Sequence, residues 1–182
     1  MTVQLPDQVE YNNAYFAIVA IDGSRIFNLE EYGLKPVGRR TDCWRGYLCV
    51  FKIQDDELVL DTLRVLLDVD PPPINGVSPK DDGWFGTSYE GLNLRINFTG
   101  GIHITGGIPL EAIENGHITD SWTRYSYDFL FQNGRVIQQN DWSIEEDKFW
   151  KSMEKIPMEV RSFYIEQWIK HNIGQNYELY DP

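Results

Sequence analysis

The sequence predicts an α+β fold: a mainly antiparallel β-sheet or open barrel built from hairpins, followed by two C-terminal helices. Three observations predict it. Short apolar runs of strand-forming residues come in neighbouring pairs separated by turn residues, as hairpins do. No helical pattern stands between those runs, as parallel βαβ units would require. Beyond residue 143 the apolar spacing changes to that of helices.

The elements follow in order. Ala14 to Ile21 (AYFAIVAI) is rich in strand formers and too short for an ordinary helix. Asp22-Gly23 then reads as a tight turn leading into a second run, SRIFNL, because glycine accepts the positive φ of such turns. Asn28 to Gly33 has the form of a single helical turn ended by Gly33. Cys43 to Ile53 and Leu58 to Leu67 read as two antiparallel strands joined by the acidic turn Gln54-Asp55-Asp56-Glu57. Alternation puts Val59, Asp61 and Leu63 on one face and Leu58, Leu60 and Thr62 on the other. Asp70 to Trp84 is expected to be a loop, since Pro71, Pro72 and Pro73 cannot donate ladder hydrogen bonds.

Leu92 to Phe98 alternates with period two, Gly100-Gly101 turns it, and IHIT resumes the pattern. Leu110 to Ile113 reads equally as a short helix or a loop. Trp122 to Phe131 is a strand, returned by Asn133-Gly134 into RVIQQ. Ser143-Ile144-Glu145-Glu146 has the form of a capping box opening a helix over 144–155. Pro157 suits the start of a second helix, Met158 to Asn172, stopped by Gly174. Its apolar stripe is Val160, Tyr164 and Trp168, with Ile165 and Ile169 beside it.

The chain has 182 residues, one domain's worth, with a β-rich part over 12–142 and a helical part over 143–174. A core of this size holds without a disulfide or metal staple. Acidic residues number 28 against 16 basic, a net charge of -12. That balance argues against nucleic-acid binding and for a partner with a basic surface. Met1 to Glu10 is polar and acidic, without the basic and apolar segments of a signal peptide, and no apolar run is long enough to span a bilayer. The expectation is a cytoplasmic protein off the membrane, with Cys43 and Cys49 as buried, reduced thiols.

Candidate chemistry is sparse. His103, His117 and His171 share no metal-ligand spacing, so no metal site and no cofactor are expected. Thr99-Gly100-Gly101 and Thr105-Gly106-Gly107 lack the lysine and the following helix of a phosphate loop. Cys43 with His103 is the one conceivable nucleophile–base pair, without any local signature of such a site. The most unusual segment is Thr41 to Tyr47. Trp44 and Tyr47 flank Arg45, whose forked guanidinium can bind a carboxylate or stack on either ring. It reads either as a binding anchor or as a structural arginine paired with an internal carboxylate, the second being favoured. Arg45 is therefore expected to lie part-buried against an aromatic ring and an acidic side chain. The candidate binding residues are Trp44, Arg45, Tyr47, Trp84, His103 and Trp122.

Several segments resemble an uncharacterised bacterial family of small acidic proteins. The matching segments are Tyr32-Gly33-Leu34-Lys35-Pro36, Cys43-Trp44-Arg45-Gly46-Tyr47, Gly76-Val77-Ser78-Pro79, Phe98-Thr99-Gly100, and Phe129-Leu130-Phe131 with Asn133-Gly134. The resemblance spans roughly residues 12 to 142. It implies no reaction; by size and acidity such proteins are similar to immunity proteins of toxin systems. The leading functional expectation is thus a non-enzymatic acidic protein neutralising a basic toxin domain. The alternatives are a barrel-like small-ligand binder and a hydrolase using Cys43 and His103.

Overall fold

A computed structural model describes residues 4–109 and 125–180. Its strands are β1 (Gln8–Tyr11), β2 (Ala14–Gly23), β3 (Tyr47–Gln54), β4 (Glu57–Val65), β5 (Lys80–Asp82), β6 (Gly86–Arg95), β7 (Gly100–Pro109), β8 (Tyr125–Gln132), β9 (Arg135–Asp141) and β10 (Glu178–Leu179). The helices are α1 (Ser143–Met153) and α2 (Met158–Asn172), with a 3-10 turn at Leu29–Tyr32. Trp122 and the segment Leu110 to Ile113 lie outside the described residues.

Seven strands close into a mixed barrel in the order β3-β1-β2-β7-β8-β9-β4, with β4 pairing back to β3. Only the β1–β3 pairing is parallel among the strand pairs described. The seam between β4 and β9 is narrow: Leu58 N donates to Gly134 O and Val136 N to Asp56 O, both at 2.8 Å. Beyond the ring, β6 and β5 extend the sheet from β4. β10 pairs with Ala20 and Ile21 of β2, beyond the stretch that β1 covers. Phe16, Ile18, Phe51, Leu60, Ile104, Phe129 and Phe131 belong to one buried cluster, as expected for a barrel of this strand number. The lumen is therefore packed core.

Two expected hairpins hold. Asp55-Asp56 turns β3 into β4 and Asn133-Gly134 turns β8 into β9, all four residues at positive φ. Two others do not. Gly23 ends β2 opposite Gly100, and SRIFNL does not return as a strand. Instead Ile26 and Phe27 drop into the main cluster on the way to the 3-10 turn capped by Asn28. The hairpin partner of β2 is β1, joined by Asn12-Asn13 at φ 50° and 57°. Likewise Gly100-Gly101 opens β7 without folding it onto β6. β7 pairs with β2 and β8, while Ile96 N reaches Leu58 O.

Two strands depart from simple alternation. A register shift between Leu60 and Thr62 brings Leu63 into the same cluster as Leu58 and Leu60, overturning its assignment to the opposite face. The strand expected from Cys43 begins at Tyr47. Cys43 precedes it in a turn that Gly46 makes possible: φ is 75°, and a Cβ there would strike the Val37 backbone. Both cysteines are free and buried.

The helices sit where the spacing places them, with two corrections. No capping box forms. Asp141 Oδ1 accepts from both the backbone N–H and the hydroxyl of Ser143, which frees Glu146 to turn inward. On α2 the inward stripe is Ile165, Trp168 and Ile169, while Val160 and Tyr164 are exposed. Phe149 of α1 and Trp168 of α2 meet with ring centroids 5.4 Å apart, as expected from their aromatic stripes. Among the described residues no helix is long and apolar enough to cross a membrane.

Candidate functional site

β7 and β8 alternate apolar and polar residues. Ile102, Ile104, Phe129 and Phe131 enter the barrel core, so His103, Thr105, Ser126 and Asp128 are left facing outward. In an exposed sheet those four would meet water. Here the helices and the C-terminal segment cover them, and His103 and Ser126 are each 1% exposed. Register sets His103 opposite Asp128 and Thr105 opposite Ser126, a compact polar layer beneath an apolar roof.

Glu146 enters this layer from α1. Its Oε1 accepts from Thr105 Oγ1 at 3.0 Å and from Trp150 Nε1 at 2.9 Å. Its Oε2 lies 3.4 Å from His103 Nε2 and accepts no hydrogen bond. His103 Nε2 also faces Ser126 Oγ at 3.3 Å, and His103 Nδ1 has no partner. Burial pushes the Glu146 carboxyl up, but the facing His103 together with hydrogen bonds such as that from Trp150 more than offset it, leaving the pKa lowered. Asp128 is shifted the other way: burial raises it, against hydrogen bonds from Tyr177 and Asn140 and the nearby His103. Tyr177 lies flat on β7 at Gly101, where a Cβ would collide with its ring.

Above the layer, between β2, β7 and the two helices, lies a cavity of about 360 Å³. Its walls are chiefly apolar, including Ala17, Phe149, Ile165, Trp168 and Ile169; His103, Thr105 and Glu146 form its polar floor. It has the size and composition of a small-molecule site. A wider hollow of about 1060 Å³ runs along α1. Part of its charged lining is engaged, Lys151 with Asp147 and Arg161 with the Ile156 and Glu154 carbonyls.

A Ser-His-acid relay needs the nucleophile and the carboxylate on opposite ring nitrogens. Ser126 and Glu146 both face Nε2 of His103, so that arrangement is not made. Cys43 and His103 are not brought together either. Cys43 packs with Leu48 and Phe85, and its thiol points to the Tyr47 carbonyl at 3.1 Å. Burial raises its pKa, against thiolate formation. Among the described residues, no group of three or more His, Cys, Asp or Glu side chains is arranged to hold a metal.

The segment around Arg45 makes a separate site on the barrel. Arg45 Nη2 donates to Asp7 Oδ1 at 2.5 Å and Nε donates to Tyr47 O at 2.7 Å, while the guanidinium stacks 4.9 Å from the Tyr47 ring centroid. The two charged side chains are 8% and 2% exposed. Cys49 N and the Tyr180 hydroxyl complete the shell of Asp7 at 2.7 and 2.6 Å. Burial raises the Asp7 carboxyl and Arg45 opposes that rise. Burial also pushes the Tyr47 phenol up to about 12. Arg45 thus has the aromatic and acidic partners the sequence suggests.

Trp44 and Trp84 stand out in solvent at 63% and 54% exposure. Arg40 stacks on Trp84 at 4.8 Å and pairs with Asp42. Of the candidate binding residues that are described, then, only His103 lines the cavity. Glu146, Thr105, Ser126 and Trp168 were missed. A signal existed for Glu146: it lies on the helical stripe of Phe149, Trp150 and Met153, a carboxylate in an apolar row. Comparison with protein-family models, with curated proteins and with solved structures returned no significant match.

Proposed function

We propose that this chain is a binding protein whose ligand is a small, mostly apolar molecule held between the barrel and its two helices. The carrying observation is the 360 Å³ apolar cavity over buried polar atoms that lack partners. Buried polar groups normally find partners, and an orphan at the floor of a cavity is a place for a ligand to supply one. The packed lumen favours this outer cavity over a lipocalin-like interior site.

The test uses 1-octanol as a neutral probe, read through tryptophan fluorescence, since Trp168 lines the cavity. Saturable binding is expected in the wild type and its loss in Ala17→Phe, which fills the space from β2. Absence of binding, or binding unaffected by that substitution, would overturn the reading.

A second reading rests on a different surface. The net charge of -12 and the exposed Trp44 and Trp84 suit a basic protein partner, as an immunity protein would have. Its test is co-purification with the basic product of an adjacent toxin gene, abolished by Trp44→Ala with Trp84→Ala. Co-purification that survives the double substitution would remove those tryptophans from the contact.

A further inference from the structure

The cavity floor carries information about the head group of its ligand. Among the titratable side chains lining the cavity are His103, Glu146 and Tyr180; among the described residues no lysine or arginine lines it. Glu146 is 8% exposed at the side chain and His103 1%. Glu146 Oε2 and His103 Nδ1 are both buried without a hydrogen bond. The floor therefore offers a carboxylate oxygen that no hydrogen bond occupies.

Resting on the proposal that this cavity binds a ligand, we infer that the ligand is an amphipathic primary amine, its ammonium seated on Glu146 Oε2 and its hydrocarbon body among Ile165, Trp168 and Ile169. An ammonium brings an N–H donor to that oxygen and a charge opposite to that of Glu146. A carboxylate brings neither and would be repelled by Glu146. The volume holds a molecule on the order of a dozen non-hydrogen atoms, taking roughly 30 Å³ for each. Trp168 stands over the imidazole with ring centroids 6.3 Å apart. The head group reaches the floor by moving that indole aside, so Trp168 reports its arrival.

The experiment compares octylammonium, 1-octanol, octanoate and octyltrimethylammonium by fluorescence titration at two ionic strengths. The second ionic strength matters because a protein of charge -12 attracts any cation. Octylammonium is expected to bind at least tenfold more tightly than octanoate at both. The trimethylated cation is expected to lose most of that gain, because it keeps the charge but has no N–H donor. Glu146→Gln should erase the preference while 1-octanol still binds. Equal or tighter octanoate binding, or a preference that survives Glu146→Gln or trimethylation, would overturn the head-group assignment. Failure of 1-octanol as well would instead remove the cavity reading on which it rests. The trimethyl comparison needs no variant, so it decides the point even if Glu146→Gln does not fold.

Discussion

Two buried charged clusters flank the same barrel, and they differ in completeness. Around Asp7 both carboxylate oxygens are engaged, by Arg45, the Cys49 backbone and the Tyr180 hydroxyl, and Arg45 has a ring to stack on. Around Glu146 one oxygen takes two donors, and the other, with His103 Nδ1, takes none. The second cluster, with Thr105, forms the polar floor of the apolar cavity. A buried charge with every partner in place fixes structure. A buried carboxylate oxygen without a donor, at the floor of a cavity, supports the proposal of a ligand there.

The comparison breaks most sharply at Arg45. Arg45→Ala leaves Asp7 buried without its cation and should cost about 3–5 kcal/mol. Chemical denaturation of both proteins measures this; an unchanged midpoint and slope would make Arg45 a binding residue after all. Next come the two tyrosines that fasten the C-terminal strand. Tyr180 donates to Asp7 and Tyr177 to Asp128, one on each side of β10. Tyr180→Phe and Tyr177→Phe should each cost about 1–3 kcal/mol, because a buried carboxylate loses a donor.

The pH dependence separates the carboxylates further. Glu146 is lowered, so its folded form holds a proton less tightly than the unfolded chain does. Its contribution is complete above the ordinary carboxylate value of about 4.3 and is lost as pH falls through the folded value. Asp128 is raised, so its contribution is present below about 3.9 and is lost as pH rises through the folded value. Denaturation midpoints from about pH 3 to about pH 6 should therefore show Glu146→Gln flattening the acid side and Asp128→Asn flattening the loss above about 3.9. The same slope change in both variants would contradict the opposite directions assigned to them. The smallest effect is expected at Trp44 and Trp84, where substitution by Ala should move stability by no more than about 0.5 kcal/mol. A larger loss would make these rings structural.

The sheet-dominated α+β architecture was legible because turn chemistry and period are local. Asp55-Asp56 and Asn133-Gly134 sit between runs whose pairing is sequential, and Pro157 and Gly174 bound α2. What was not legible is long-range. Asp22-Gly23 has hairpin chemistry, yet Gly23 lies opposite Gly100, a pairing no local rule encodes. Arg45 showed its nature through composition alone, a guanidinium between aromatic rings at the head of an apolar run. The cavity did not: His103, Thr105, Ser126 and Asp128 follow the alternation of a solvent-facing row. Only the packing of α1, α2 and Tyr177 onto that row turns it into a buried floor.

The central claim is that the incomplete cluster, and not the complete one, receives a ligand. Backbone and indole NMR signals followed during titration with octylammonium test it most directly. Shifts concentrated at Thr105, Glu146, Trp168 and Ile169, with Arg45, Tyr47 and Cys49 unmoved, are the expected result. Shifts centred on Arg45 or on the exposed Trp44 and Trp84, or no saturable shifts at all, would contradict it.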